Sequence, residues 1–297
     1  MPFGTGSLVA RAFRHPRWQP QPGVWVGLVL TSPLLLVLAV LVFFPLGKLV
    51  VDSLTQGDGL ANYSDFFASR AARKALVTTF SHSAIVTVLA MLLGGVLAWS
   101  IRVQRSSLVR ALLWSITLMP FWMGVVVKNY AFTIVLQRKG LLNELLQLLP
   151  FIDQPVRLLY TPMAVVAGIL YSLMPYAVLS LYVTFVTIDL DLVRAAESLG
   201  APRYRALTSI VGPLATPGLL ATAAIVFVFS IGFYVTPILL GGPQSAFLAT
   251  LINRQIFAMF DYPAAAASGT ILLVAALLVL GLTWLLLGRE RLERAIA

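Results

Sequence analysis

The sequence has no cysteine, two histidines and few charged residues. Zero cysteines exclude disulfide frameworks, thiolate metal sites and thiol chemistry. Charged residues make up 11% of the 297 residues, whereas an ordinary soluble domain has about 25%. Because 59% of the residues are hydrophobic and the mean hydropathy is +0.92, the chain is a polytopic membrane protein rather than a soluble domain. We predict neither a catalytic residue nor a metal site in it.

Two features of self-sufficient membrane transporters are also missing. The sequence contains no Gly-x-x-x-x-Gly-Lys-Ser/Thr phosphate loop, so the chain is not expected to bind and hydrolyse ATP itself. Its acidic residues fall at or outside the ends of the apolar runs, whereas ion-coupled carriers place ionisable groups inside their spans. Both absences agree with a transport protein that is driven by a separate ATPase.

The apolar runs predict an all-α fold with six transmembrane helices, because a helix needs about 20 apolar residues to cross a bilayer. The spans are expected near 25–50, 76–101, 109–136, 162–187, 216–240 and 264–287. They form a transmembrane domain at 25–288, which follows a basic N-terminal segment (1–24) and precedes a short tail (289–297). An even number of spans places both termini on one side of the membrane.

Basic residues predict which side that is. Twelve of the 21 Lys and Arg residues belong to segments on the side of the termini: Arg11, Arg14, Arg17, Arg102, Arg105, Arg110, Arg194, Arg203, Arg205, Arg289, Arg291 and Arg294. The excess of Lys and Arg in cytoplasmic loops therefore predicts cytoplasmic termini in a bacterial inner membrane. Arg70, Arg73 and Lys74 on the far side oppose this count.

A polar island, defined here as residues 191–205, separates the fourth and fifth runs. Asp191 can cap a helix N-terminus, and Gly200 lies where a left-handed C-terminal cap is expected. Pro202 suits the start of a second short helix, and Pro213 and Pro217 are expected to interrupt the chain again. The first helix carries apolar residues at helical spacing: Leu192, Ala195, Ala196 and Leu199. This short face can meet a partner surface or pack on its own protein.

The segment Ala195-Ala196-x-x-Leu199-Gly200-Ala201, followed by Ile210 and Pro213, resembles the cytoplasmic EAA loop of binding-protein-dependent ABC importer permeases. The resemblance implies a coupling loop at 189–213 that seats in a groove of the ATPase. The coupling residues would be Leu192, Arg194, Ala195, Ala196, Glu197, Leu199, Gly200, Ala201, Pro202 and Pro213. Arg194 replaces the family's leading glutamate, which reverses a charge, and Gly212 replaces its leucine before the final proline.

Lys128 is the basic residue that falls well inside a predicted span. An ammonium facing lipid would cost roughly 2.5–3.5 kcal/mol, so Lys128 should face a water-filled pathway or another subunit, or snorkel outward. Asn129 and Tyr130 add hydrogen-bonding groups to the same turn. We predict these three residues as candidates for a translocation pathway.

Four segments are similar to spermidine/putrescine-type permeases: Pro120-Phe-Trp-(x)5-Lys128, Gly140-Leu-Leu-Asn143, Tyr171-Ser-Leu-Met-Pro-Tyr176 and the stretch from Gly232 to Gly242. The similarity runs from about residue 25 to about 287. It implies a type I importer permease whose solute is a polyamine such as spermidine or putrescine. Similar permeases serve amino-acid derivatives, organophosphonates or metal ions, so these solutes stay open.

The end of the fifth span is rich in helix-breaking residues: Gly232, Pro237, Gly241 and Gly242. Breaks inside a bilayer are tolerated where protein or a water-filled cavity satisfies the backbone, so a gate or a re-entrant turn is one interpretation and a simple helix end is the other. Nearby aromatic residues can stack on a cationic solute or pack between helices: Tyr171, Tyr176, Phe233 and Tyr234. Residues 62–67 and 140–151 read as short helices on the outer face, where a solute-binding protein could dock.

The resemblance implies an assembly around the chain. Its partners would be a second permease subunit, similar or identical, two ATPase subunits and an extracytoplasmic solute-binding protein, with membrane lipid around them and no nucleic acid. The chain would bind no cofactor, and ATP and Mg would be held by the partner ATPase. The rival hypotheses are a self-sufficient secondary carrier and a membrane scaffold that transports nothing. The carrier needs intramembrane acids and inverted repeats, which are not evident in the sequence.

Overall fold

A computed structural model describes the backbone of residues 24–57, 59–150, 154–242 and 245–296, and the side chains of 29, 31–57, 59–150, 154–242 and 245–286. The predicted basic segment at 1–24 lies outside these residues except for Val24, and the side chains of the predicted tail at 289–297 lie outside them too. All regular secondary structure in the described residues is helical. The helices are α1 (Val24–Thr55), α2 (Ala61–Ala68), α3 (Arg70–Val103), α4 (Ser107–Trp122), α5 (Val125–Leu136), α6 (Leu141–Leu146), α7 (Pro162–Val186), α8 (Asp191–Ser198), α9 (Arg203–Ala206), α10 (Gly212–Ile231), α11 (Val235–Leu240), α12 (Leu248–Phe257) and α13 (Tyr262–Ile296).

The chain divides into two units, Met1–Lys48 and Leu49–Ala297. In the first unit, α1 runs through Pro33 and Pro45 without ending, and its described side chains from 31 to 48 are exposed. The segment Thr31–Thr55 has a hydropathy of 2.7, which is high enough for a membrane span. Exposed apolar residues along a span of this length are what a lipid environment requires.

In the second unit, α3, α7 and α10 pack on one another and form the centre of the bundle. Helix α7 is the most enclosed span, with 61% of its apolar window buried. One buried cluster, which includes Ile169 and Leu173, joins α7 to α3, α10 and α11. A second cluster, which includes Leu181 and Phe185, joins the other end of α7 to the residues of the island. The bundle therefore holds the island by apolar packing as well as by chain connection.

Four predicted spans correspond to single helices: α1, α3, α7 and α13. The third predicted span, 109–136, is broken, because α4 and the segment that begins with α5 are bent by 108° at Met123–Gly124. The helix runs through Pro120 to Trp122, and the break lies at Met123 and Gly124, whose ψ angles of 128° and 144° are not helical. The described residues contain five spans, or six if this bent pair counts as one.

The fifth predicted span, 216–240, has the wrong boundaries. A continuous helix of 29 residues runs from Arg203 to Ile231. Pro213 and Pro217 lie inside it, so the expected interruption there is wrong. The physical reason is a π-helical turn at Leu207–Val211, in which the Gly212 N–H donates to the carbonyl five residues back. This wider turn directly precedes the proline that lacks an N–H, so the chain accommodates the ring without ending the helix.

The loops between spans carry short helices. α2 confirms the short helix predicted at 62–67, and α6 covers the first part of the stretch predicted at 140–151, of which residue 151 lies outside the described residues. α12, between the fifth and sixth spans, was not predicted, although apolar residues recur through 248–256 at helical spacing. α13 continues past the predicted end of the sixth span to Ile296.

Candidate functional site

A cavity of about 540 Å³ opens beside Lys128, at the point where α5, α7 and the end of α10 meet. Its lining is mostly apolar and aromatic, with a few polar groups. The lining residues are Val125, Lys128, Ser172, Leu173, Tyr176, Val228, Phe229, Gly232, Phe233, Tyr234 and Val235. Lys128 is the basic residue of this lining.

The break between α4 and α5 places Lys128 in this cavity. After the extended residue Met123, Gly124 caps α5, and the Lys128 N–H donates to the Gly124 carbonyl over 3.1 Å. The 108° bend redirects α5, so that the first turns of that helix face α7. A straight third span would continue the line of α4 and would not present Lys128 in this way.

The two residues after Lys128 lie elsewhere. Asn129 is 1% exposed, and its side-chain amide donates to the Val125 carbonyl over 2.7 Å, so it stabilises the first turn of α5. Tyr130 is 64% exposed on another face. Neither residue lines the cavity, so the structure brings only Lys128 of the predicted triplet together with the other pathway candidates.

Aromatic rings form one wall. The Tyr176 ring lies 5.4 Å from the Phe229 ring in an edge-to-face arrangement and 5.9 Å from the Phe121 ring. Phe233 and Tyr234 complete the aromatic part of the lining. Ring faces attract cations and ring edges attract anions, so such a wall can interact weakly with either charge. Phe121 and Phe229 were not among the predicted residues, because their proximity to Tyr176 depends on the packing of separate helices.

Lys128 also lines a second, smaller cavity of about 230 Å³. Tyr171 lines it, 5.2 Å from the Phe132 ring, and its hydroxyl donates to the sulfur of Met123 over 3.7 Å. Lys128 borders both cavities. The predicted pathway residues therefore divide into two groups that share the lysine.

The predicted break in the fifth span lies at Gly232–Tyr234, between the end of α10 and the start of α11. Helix α11 packs tightly on α7, because a side chain at Gly168 would approach the side chain of Leu240 to 2.6 Å. Pro237 is buried within α11, and Gly241 ends it in an extended conformation. Gly242 follows, and its carbonyl accepts from the Ser245 N–H over 2.9 Å. The break thus consists of a helix end and a second short helix, and its first three residues line the larger cavity.

The island forms the predicted two-turn helix, α8, at Asp191–Ser198. Gly200 has the predicted left-handed conformation, with φ +89°. The Gly200 N–H donates to the Glu197 carbonyl and the Ala201 N–H to the Ala196 carbonyl, each over 3.0 Å, which is the Schellman pattern of helix termination. The predicted cap is wrong, because the carboxylate of Asp189 accepts from the Asp191 N–H, over 2.9 Å.

Most of α8 faces outward. Leu199 is 89% exposed, Leu192 is 48% exposed, and Ala195 is exposed, whereas Ala196, the fourth residue of the predicted apolar face, is half-buried and packs against the second buried cluster. Val193, which is 6% exposed, is the residue that anchors the helix. It packs with Ala206 and other residues of the second buried cluster.

Two ion pairs lie within the island. Asp191 forms an ion pair with Arg194 over 2.5 Å, so Arg194, at the position of the family's glutamate, is engaged within α8. Arg203 lies 3.8 Å from the carboxylate of Glu197, next to the turn at Pro202. Both pairs are largely exposed and contribute little to stability.

Arg102 supports the island from the end of α3. Its guanidinium donates to the Ile188 carbonyl and lies 5.4 Å from the centre of the Trp99 ring. The sequence identified Arg102 only as one of the basic residues that indicate the cytoplasmic side, because its contact with Ile188 joins residues that are 86 positions apart.

In the described residues, no group of three or more His, Asp or Glu residues is arranged to hold a metal ion.

The chain is similar in sequence to membrane components of known transport systems. The family model described as binding-protein-dependent transport system inner membrane component matches residues 3–295. The spermidine/putrescine transport system permease protein PotB of Escherichia coli K12 is 32% identical over 209 residues, which cover 70% of this chain and 76% of that protein. The sulfate transport system permease protein CysT of E. coli K12 is 24% identical over 249 residues, or 83% and 87% of the two chains.

The fold has a match among solved structures. A chain from a bacterial ABC transporter involved in import of the acidic polysaccharide alginate superposes with a TM-score of 0.71 at 19% identity, covering 89% of this chain and 96% of that chain. A second crystal structure, of a bacterial alginate ABC transporter in complex with an alginate pentasaccharide-bound periplasmic protein, gives a TM-score of 0.70.

Proposed function

Because the chain belongs to the family of binding-protein-dependent transport system inner membrane components, we propose that its Lys128 cavity is a solute pathway and that its island docks on an ATPase. The chain is a membrane-spanning permease subunit of an ABC importer, in the inner membrane, and ATP hydrolysis belongs to a separate subunit. The proposal assigns these two tasks to two ends of the same bundle.

The observation that carries the proposal is the continuous helix Arg203–Ile231. It begins three residues after Gly200 of the island, and its last turns supply Val228 and Phe229 to the cavity. The helix is continuous through its π-helical turn and both prolines, so we propose that it moves as one body. A displacement of the island by an ATPase would therefore reach the cavity without passing through a flexible loop.

The surface of α8 supports docking. An exposed face of Leu192, Ala195 and Leu199 beside charged residues is typical of a helix that fits into a groove on another protein. We propose two ATPase subunits that bind ATP and Mg, one for this chain and one for a second permease subunit, which is similar or identical. The chain itself binds no cofactor. An extracytoplasmic binding protein delivers the solute from the side opposite the island.

For the solute we propose a polyamine of the spermidine or putrescine type. The support is the 32% identity with a spermidine/putrescine permease and the aromatic wall, which can interact with ammonium groups. Lys128 opposes the binding of a polycation, and a pathway needs weak binding so that the solute can leave. An amino-acid derivative, an organophosphonate or a metal ion is the alternative cargo; a secondary carrier is the less favoured mechanism.

To test this function, the permease is purified together with the proteins encoded by its genomic neighbours and reconstituted into liposomes, and solute uptake is measured with and without ATP. We expect ATP-dependent accumulation of radiolabelled spermidine when the binding protein is present, and none when the ATPase is left out. Accumulation without the ATPase would favour a secondary carrier. If the complex takes up another solute from a mixed panel in an ATP-dependent way but does not take up spermidine, the importer mechanism is retained and the polyamine assignment is refuted.

A further inference from the structure

A polar cleft of about 350 Å³ lies between α2, the start of α3, α12 and the start of α13. It lies at the end of α3 remote from the island, since the island packs near Ile101 at the other end of that helix. The cleft shares no lining residue with the Lys128 cavity. Its polar lining consists of Asn62, Asp65, Arg254, Gln255, Asp261 and Ser268, together with Ser69 at its edge.

The floor of the cleft contains two polar atoms without a partner. Ser268 is 0% exposed and Gln255 is 9% exposed. Neither the Ser268 hydroxyl oxygen nor the Gln255 amide oxygen has a hydrogen-bond partner among the residues that the structure describes. Buried polar groups are normally paired, because an unpaired one loses its hydration without compensation. The amide oxygen can only accept a hydrogen bond, so its missing partner is a donor.

The wall and rim of the cleft favour a positively charged donor. Asp261 is half-buried, and one of its carboxylate oxygens accepts from the Ala264 N–H over 3.1 Å, which leaves the other oxygen available. Asp65 is exposed at the rim. Arg254 is also exposed, forms no ion pair in the described residues, and is the one basic residue of the lining. The lining therefore contains two carboxylates and one guanidinium, and the charge of that guanidinium is screened by solvent.

We propose that this cleft binds the primary ammonium group of a small amine. An ammonium group has three donors and no acceptor, which matches the Gln255 amide oxygen, the Ser268 hydroxyl and the Asp261 carboxylate. The same group is present in a free amine and in the ethanolamine headgroup of a lipid at this membrane surface. The site goes beyond the proposed pathway and does not depend on it, because binding is measured without the ATPase or the binding protein.

The test uses the purified full-length chain in nanodiscs of phosphatidylcholine and phosphatidylglycerol, which carry no primary ammonium group. Equilibrium dialysis with radiolabelled putrescine should show saturable binding, and 1,4-butanediol, its uncharged analogue, should not compete. Gln255→Met and Asp261→Asn should each weaken binding at least tenfold. Matched variants of exposed residues on the same side of the membrane, Gln137→Met and Glu144→Gln, should bind as the parent does.

Thermal unfolding separates loss of the site from loss of the fold. Gln255→Met keeps the side-chain volume and removes an unpaired buried oxygen, so its Tm without amine should be equal to or higher than that of the parent. Repeating the dialysis in nanodiscs that contain phosphatidylethanolamine identifies the source of the ammonium group: weaker putrescine binding there indicates the lipid headgroup, and unchanged binding indicates a free amine. Absence of putrescine binding, or binding that the two cleft variants leave unchanged, would overturn the proposal and leave the transport function untouched.

Discussion

Replacing Gly200 tests whether the turn that ends α8 sets the orientation of the docking face. The residue has φ +89°, and a side chain built there would meet no atom within 4 Å. A Cβ at this position therefore clashes with no atom of the described chain, so within the permease the effect of a substitution comes from the backbone conformation. For a residue other than glycine, the left-handed conformation costs about 1–2 kcal/mol. This cost lowers the population of that conformation by a factor of about 5–30.

We expect Gly200→Val to lower the affinity of the permease for its ATPase by about 5- to 30-fold, because a β-branched residue disfavours the left-handed turn most strongly. Gly200→Asn is the matched variant, since asparagine adopts this conformation with little strain. The amount of permease in the membrane should be the same for both, because the turn lies outside the buried clusters. The assay is the binding of purified ATPase to the permease in nanodiscs, followed by ATP-dependent uptake.

Equal affinities for the valine and asparagine variants would refute this reasoning. If both match the parent, the turn does not control docking. If both lose the ATPase to the same extent, the side chain itself obstructs the interface, and the backbone conformation is not the cause. Comparing the two variants separates the cost of the left-handed backbone conformation from the effect of adding a side chain, which a single substitution could not do.

Three further predictions concern the pathway, the support of the island and the topology. Lys128→Met should lower the spermidine KM for uptake by about fivefold, since a like charge at ~4 Å costs about 1 kcal/mol in a watery site, whereas Lys128→Arg should retain the parent KM. Arg102→Met should lower the melting temperature and weaken ATPase binding, because a hydrogen bond from a charged group contributes about 1.5–3 kcal/mol; an unchanged melting temperature would contradict the contact with Ile188. Because the chain has no native cysteine, single-cysteine variants report topology directly, and we expect an impermeant maleimide to label Ser64→Cys but not Ser198→Cys in intact cells. The reverse pattern would invert the proposed orientation.

Local patterns predicted the parts of the structure that depend on neighbouring residues. The two-turn helix and the left-handed Gly200 follow from chemistry within a few residues, and the structure has both. The cap at Asp191 was wrong because the helix already begins at this residue, whose own N–H donates to the Asp189 carboxylate. The interruption at Pro213 was wrong because a π-helical turn absorbs the proline, and no residue pattern marks such a turn.

Contacts between distant segments could not be predicted in this way. The cavity brings Lys128 together with Phe229, about one hundred positions apart, only after the chain bends at Gly124. The exposure of Tyr130 and the burial of Asn129 depend on which face of α5 meets α7, and the sequence does not define that face because apolar residues lie on every side of the helix. Arg102 and Gln255 have roles that only the packing of separate helices reveals.

The length of the helix from Arg203 to Ile231 determines how small a movement of the ATPase can be and still matter. With 29 residues at about 1.5 Å each, the helix is about 43 Å long. A tilt of about 5° about one end moves the other end by nearly 4 Å, which is the diameter of a methyl group and roughly the width of an extended amine chain. Under the proposed docking of the island on an ATPase, a rotation of this size would be sufficient to widen or narrow the passage beside Phe229.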